Sequence, residues 1–320
     1  MRLLLATQSG LLTAEQNGNG WLCQPGGLEG KEVTTVIARE GVILAGTRDG
    51  IFRSADAGKT WFETSEGLSE RYVRWLAYHP DISDFEFAGT EPAAIFVSRN
   101  GGDSWRECPE VSKLRREHKW WLPYSPGAGC VRGFSFHGQR AYAAVEVGAA
   151  LRSDDGGEHW RLVEGANGQP VFGSPPAHFV HPDVHSIEVH STSPDLIFAP
   201  TGGGFYHSAD GGKTWQTIND CLYVRAVWLD ANDPNHLILG PSDGPNGENG
   251  RIEVTHNAGQ SWQQVAGRWS DNMVERFQQI GHNLWAVMAN GELFVTPLAQ
   301  LDWQHVLTEV TGVNDLTVMN

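Results

Sequence analysis

The sequence predicts an all-β fold, a seven-bladed β-propeller, from three observations. An eight-residue pattern ending in tryptophan recurs five times. Short apolar runs stand in a fixed order ahead of each copy. The last run of the chain continues into the first.

The five octets are "SADAGKTW" (54–61), "SRNGGDSW" (98–105), "SDDGGEHW" (153–160), "SADGGKTW" (208–215) and "THNAGQSW" (255–262). Each fits a tight turn between the third and fourth strands of a blade. The Asp or Asn bonds backbone N–H groups of the turn. The glycine takes the left-handed conformation, and the tryptophan buries a large area. Upstream stand apolar runs ending in small residues: "VILAGT" (42–47), "FEFAGT" (85–90), "AYAAVE" (141–146), "LIFAPT" (196–201) and "LILGPS" (237–242). "LLLATQ" (3–8) and "LWAVMA" (284–289) fill the same slot without a good octet after them. Trp21, Trp61, Trp105, Trp160, Trp215, Trp262 and Trp303 close the units, at the 40–55-residue spacing of propeller blades.

A third kind of run, mostly led by valine, opens each unit: "VTTVIA" (33), "VRWLAY" (73), "VRGFSF" (131), "VHSIEV" (184), "VRAVWL" (224) and "VERFQQ" (274). The seventh, "VNDLTV" (313), lies at the C-terminus, and its continuation is the N-terminal "MRLLLATQ". Residues 1–320 are therefore expected to form a single propeller whose two ends complete one blade, leaving no unpaired sheet edge there. Insertions at about 108–130 and 163–183 are expected to overhang the ligand face.

The net charge of −15 argues against a nucleic-acid or anionic-membrane partner, which would call for clustered Lys and Arg. Cys23, Cys108, Cys130 and Cys221 form no C-x-x-C pair and read as reduced thiols. The N-terminal apolar run is broken at Gln8, Ser9 and Gly10, so it reads as a strand, not a signal peptide. A cytoplasmic location is the expectation.

The octets resemble the Asp-box, or BNR repeat, of sialidases, xyloglucanases, sortilin-type receptors and photosystem II assembly-factor propellers. As a whole the chain is most similar to single-domain bacterial Asp-box propellers described as sialidase-like or assembly-factor-like. The resemblance implies that Asp56, Asn100, Asp155, Asp210 and Asn257 are structural and lie away from the ligand face. Classical sialidase activity is not expected. The Arg-Ile-Pro signature is missing, and sialidases have six blades. Xyloglucanases of this type use two propellers.

Function is sought at positions aligned by the repeat itself. The residues following the leading valines are Thr34, Arg74, Arg132, His185, Arg225, Glu275 and Asn314. The arginines suit a carboxylate or phosphate, or else pair with blade acids as internal cement. Arg74, Arg132, Arg225, Arg48, Glu91 and Tyr223 are candidate ligand contacts. Trp120, Trp121 and Tyr124 of the 108–130 insertion join them, to stack on a ligand or to pack the insertion down. His185, Glu146 and Glu275 are the candidate proton-handling residues. "HFVHPDVH" suggests His178, His181 and His185 as ligands of a divalent metal. Two functions follow. One is a hydrolase or lyase acting on an anionic small molecule or carbohydrate such as a sugar acid. The other is a non-catalytic scaffold binding a protein or peptide.

Overall fold

A computed structural model describes residues 1–18, 20–125, 128–170, 173–219, 223–267, 269 and 272–319. The fold is the expected seven-bladed β-propeller. Seven sheets of four antiparallel strands account for nearly all the regular structure. Their first strands are Val33–Arg39, Tyr72–Tyr78, Cys130–His137, Glu188–Val189, Tyr223–Leu229, Val274–Ile280 and Val313–Val318. The last of these pairs with Arg2–Thr7, as in Leu3↔Val318 and Leu5↔Leu316, so the chain's two ends share a sheet.

The second strands are buried on both faces, as in Glu86–Glu91 and Leu237–Ser242. This explains their small residues. A Cβ on Gly46 would come within 2.7 Å of Val73 Cγ1 in the adjacent sheet. One on Gly240 would lie 2.6 Å from the Val274 side chain. The valine-led run and the small-residue pair are thus two halves of one packing contact.

All five octets form the expected turn. Asp56 Oδ1 accepts hydrogen bonds from the Lys59 and Thr60 N–H groups, and Ser54 Oγ accepts one from Gly58. Asn100 and Asn257 keep the arrangement with a serine four residues on: Oδ1 accepts its N–H and Nδ2 donates to its hydroxyl.

The chain divides into two compact units. The first comprises residues 1–91, 95–107 and 278–320, and the second residues 92–94 and 108–277. Leu3, Leu5, Trp285, Val287, Val313 and Leu316 form one core cluster of the first unit. Phe198, Phe205, Val224, Val227, Leu237 and Leu239 form one of the second.

The second unit also holds the one helix among the described residues, α1 (Pro109–His118), which the repeat pattern did not predict. Pro109 fixes its first turn, and Lys119 ends it in a left-handed conformation. Glu110 accepts the Trp160 N–H at 2.7 Å, tying the helix to an octet. Beyond it, the indole N–H groups of Trp120 and Trp121 donate to the Gly168 and Pro170 carbonyls. The two insertions are therefore bonded to each other. Cys108 and Cys130 are buried, Cys23 is half-buried, and Cys221 lies outside the described residues. No helix among the described residues is long and apolar enough to cross a membrane.

Candidate functional site

A β-bulge positions the candidate side chains. Strand register shifts between Val33 and Thr35, Val73 and Trp75, Val131 and Gly133, and Val224 and Val227. The residue after the valine is extra in each strand, and a bulge re-aims its side chain. Thr34, Arg74, Arg132 and Arg225 all occupy this place.

Three of the aligned residues reach the neighbouring sheet. Asn314 Nδ2 donates to the Val33 carbonyl at 2.8 Å, and the Thr34 hydroxyl lies 2.5 Å from the Val73 carbonyl. His185 Nδ1 lies 2.6 Å from the Val224 carbonyl. These side chains lash one leading strand to the next.

The arginines instead meet carboxylates. In the second unit Arg132 bonds Glu146 at 3.0 Å and Glu275 at 2.8 Å. Glu275 also accepts a hydrogen bond from Arg225, whose guanidinium lies 3.4 Å from the Tyr223 hydroxyl. The Tyr124 hydroxyl donates to Glu146 at 3.2 Å. His185 packs its ring 4.6 Å from that of Tyr223 and sets Nε2 3.2 Å from Asp183 Oδ2. Most of the predicted site residues of this unit therefore fall into one network: His185, Glu146, Glu275, Arg132, Arg225, Tyr223 and Tyr124.

In the first unit Arg74 repeats part of this arrangement, bonding Glu91 at 3.2 Å and the Tyr72 hydroxyl at 2.5 Å. Arg48 lies over the Tyr72 ring and pairs with Glu32.

Two groups of residues fall elsewhere. Trp120 is fully buried, so its ring belongs to the core, and Trp121 is half-buried, whereas Tyr124, which joins the network, is 61% exposed. His178, His181 and His185 do not come together. His178 is exposed in a left-handed conformation, and its carbonyl accepts the Trp215 N–H. His181 is buried and turns Nδ1 to the Asp183 N–H. The buried atoms that converge are those of His185 with Glu146 and Asp183, all within 4.8 Å of one another.

Asp183 is the member that the repeat alignment missed, because it precedes its leading valine. Its signal was the "PTGGG" run. A Cβ on Gly202 would stand 2.2 Å from Asp183 Oδ2, and one on Gly203 would stand 2.4 Å from the His181 ring. These glycines make room for side chains; they form no phosphate loop.

Burial raises every carboxyl here, but the facing cations outweigh it. Arg225 and Arg132 hold Glu275 down at about 2. Arg132 and His185 hold Glu146 below the usual range, and His185 does the same for Asp183. Burial acts the other way on Arg132, but Glu146 and Glu275 keep it well above its ordinary value. Burial pushes the Tyr223 phenol up. The result is three carboxylates, those of Glu275, Glu146 and Asp183, each held low by the cations that face it.

Comparison with known proteins agrees with the fold. Residues 206–217 match the BNR/Asp-box repeat. Vacuolar protein sorting/targeting protein 10 of Uncinocarpus reesii is 29% identical over 136 residues. That match covers 39% of this chain and spans 8% of that protein's length. Among solved structures, YCF48 from Cyanidioschyzon merolae is similar with a TM-score of 0.62 at 15% identity, covering 93% of this chain and 91% of that one. YCF48 bound to D1 peptide gives 0.58 at 12%, covering 91% and 86%. An ancestral GH74 enzyme gives 0.60 at 19%, covering 82% of this chain but 36% of that one. The chain is thus a seven-bladed propeller that carries an Asp-box repeat and is similar in fold both to a GH74 enzyme and to YCF48.

Proposed function

We propose that the chain is a non-catalytic binding propeller whose partner is a protein or peptide. The observation that carries this reading is the self-neutralised cluster of Arg132, Arg225, Glu146 and Glu275. A pocket for an anionic substrate needs cations left for the substrate, and these two already have carboxylate partners. Glycoside hydrolysis also needs one carboxyl raised enough to protonate a leaving group. Glu275, Glu146 and Asp183 are all shifted the opposite way. Coverage points in the same direction: the likeness to YCF48 runs over nearly the whole of both chains, and one such structure holds a peptide. The net charge of −15 favours a partner segment of positive charge.

The second reading is a hydrolase or lyase acting on a sugar acid. Its support is the grouping of Glu275, Arg225 and Tyr223, with Glu275 and Arg225 each about one-fifth exposed. One pair of assays separates the two. The protein is incubated with aryl glycosides, xyloglucan and uronate-containing oligosaccharides, and it is titrated against immobilised peptides sorted by charge. The binding reading expects no cleaved product, with saturable binding of basic peptides that weakens as salt rises. New reducing ends or unsaturated sugars that disappear in Glu275→Gln would establish the enzyme instead.

A further inference from the structure

We infer that Glu146, Asp183 and His185 form a binding site for one divalent cation of the Zn2+ or Mn2+ kind. This goes beyond the binding role proposed above and does not depend on it.

The first ground is convergence. Three buried residues from two segments, one carrying Glu146 and the other Asp183 and His185, bring one ligand atom each to within 4.8 Å of one another. Glu146 ends the strand Arg140–Glu146, Asp183 ends the second insertion, and His185 follows a leading valine.

The second ground is the imidazole. The Val224 oxygen can only accept, so the Nδ1 beside it at 2.6 Å carries the proton. The other ring nitrogen, Nε2, faces Asp183 Oδ2 at 3.2 Å without a well-aligned hydrogen bond, and the side chain is 0% exposed. Asp183 Oδ1 is also buried without a partner. Buried polar atoms left without partners beside two carboxylates suit a cation between them.

The third ground is the support around these ligands. Histidines that hold metals usually donate their other N–H to a carbonyl or carboxylate, and bound carboxylates are themselves hydrogen-bonded. Val224 does this for His185, while Tyr124 and Arg132 do it for Glu146. Gly202 leaves the space in which the Asp183 carboxylate sits.

Charge and chemistry define the class of ion. Two carboxylates, those of Glu146 and Asp183, face the site, so a cation is electrostatically welcome. One imidazole nitrogen and two carboxylates, with no thiolate, suit borderline first-row ions such as Zn2+ and Mn2+. Ca2+ prefers six or more oxygens.

The test uses the full chain, stripped with chelator, desalted, and then exposed to Zn2+ or Mn2+. Expected are one retained ion per chain, a raised Tm, and a Mn2+ resonance signal that Zn2+ displaces. Asp183→Asn, which keeps the side chain's shape, should lose the ion. Gly202→Ala touches no ligand atom by chemistry, yet it should weaken binding about 10- to 100-fold by displacing Asp183. His178→Ala should bind as the parent does. The inference is overturned if the folded parent retains no ion. It is equally overturned if Gly202→Ala and Asp183→Asn keep the ion while His178→Ala loses it. Should Asp183→Asn fail to fold, Gly202→Ala against His178→Ala decides alone.

Discussion

Arg132 is the residue on which the charge cluster turns. It bridges Glu146 and Glu275, which lie 129 residues apart in sequence and come from different sheets. Arg132→Ala would leave both carboxylates short of their cation, and breaking a buried pair from one side costs about 3–5 kcal/mol. Chemical denaturation of the variant should show a loss of that order. Glu86 carries the opposite electrostatic signature. Burial, with Asp84 adding to it, pushes its carboxyl up to about 7 against a Ser98 hydrogen bond. The folded chain therefore holds this proton where the unfolded chain releases it, from the ordinary value of 4.5 upward. The Glu86 contribution to stability is full below 4.5 and is lost as pH rises through 7. Melting curves across that window should fall for the parent and flatten in Glu86→Gln. Both arguments needed the fold. Arg132 was legible from its place in the repeat, but nothing in the sequence told an unpaired arginine from a paired one.

At the scale of the element, the Asp-box turn was almost wholly legible, because every atom it uses lies within eight residues. Even here the repeat held more than its consensus. The residue before the glycine is Ala57, Gly101, Gly156, Gly211 or Ala258, and all five have positive φ. Two consecutive left-handed residues demand small side chains. In one box, burial raises the Asp155 carboxyl, and hydrogen bonds from Ser153 and His159 outweigh it to hold it at about 2. That contribution is present above the ordinary value of 3.8 and fades as pH falls through 2. Asp155→Ala should destabilise by about 1–2 kcal/mol. Asp155→Asn should lose less, since Asn100 and Asn257 already serve in other boxes. Equilibrium unfolding of the two variants checks the order. The histidine cluster was misread for the opposite reason. Proximity in "HFVHPDVH" does not fix direction. His178 sits in a turn with a left-handed backbone, which carries it away from the others, and the ligand partner Glu146 comes from 37 residues before Asp183.

On the scale of the whole molecule, the leading valines and small-residue pairs gave the blade count and the closure. The insertions were located but not understood, because helix α1 follows no repeat and the tryptophan bonds join segments about 48 residues apart. Trp120→Ala should cost about 3–5 kcal/mol as a fully buried aromatic. Tyr124→Phe should leave stability nearly unchanged, and thermal melts of the pair would separate packing from polar contact. The closing blade carries a consequence in time. A ribosome delivers Arg2–Thr7 long before its partner Val313–Val318. The earlier strand must wait, with one edge bare, while the strands of the other six blades are made. Every other blade draws its four strands from consecutive sequence and is complete as soon as it emerges. The nascent chain is therefore exposed to sticking and to chaperone capture along the bare edge of Arg2–Thr7, and the closing blade is the last of the seven to be completed.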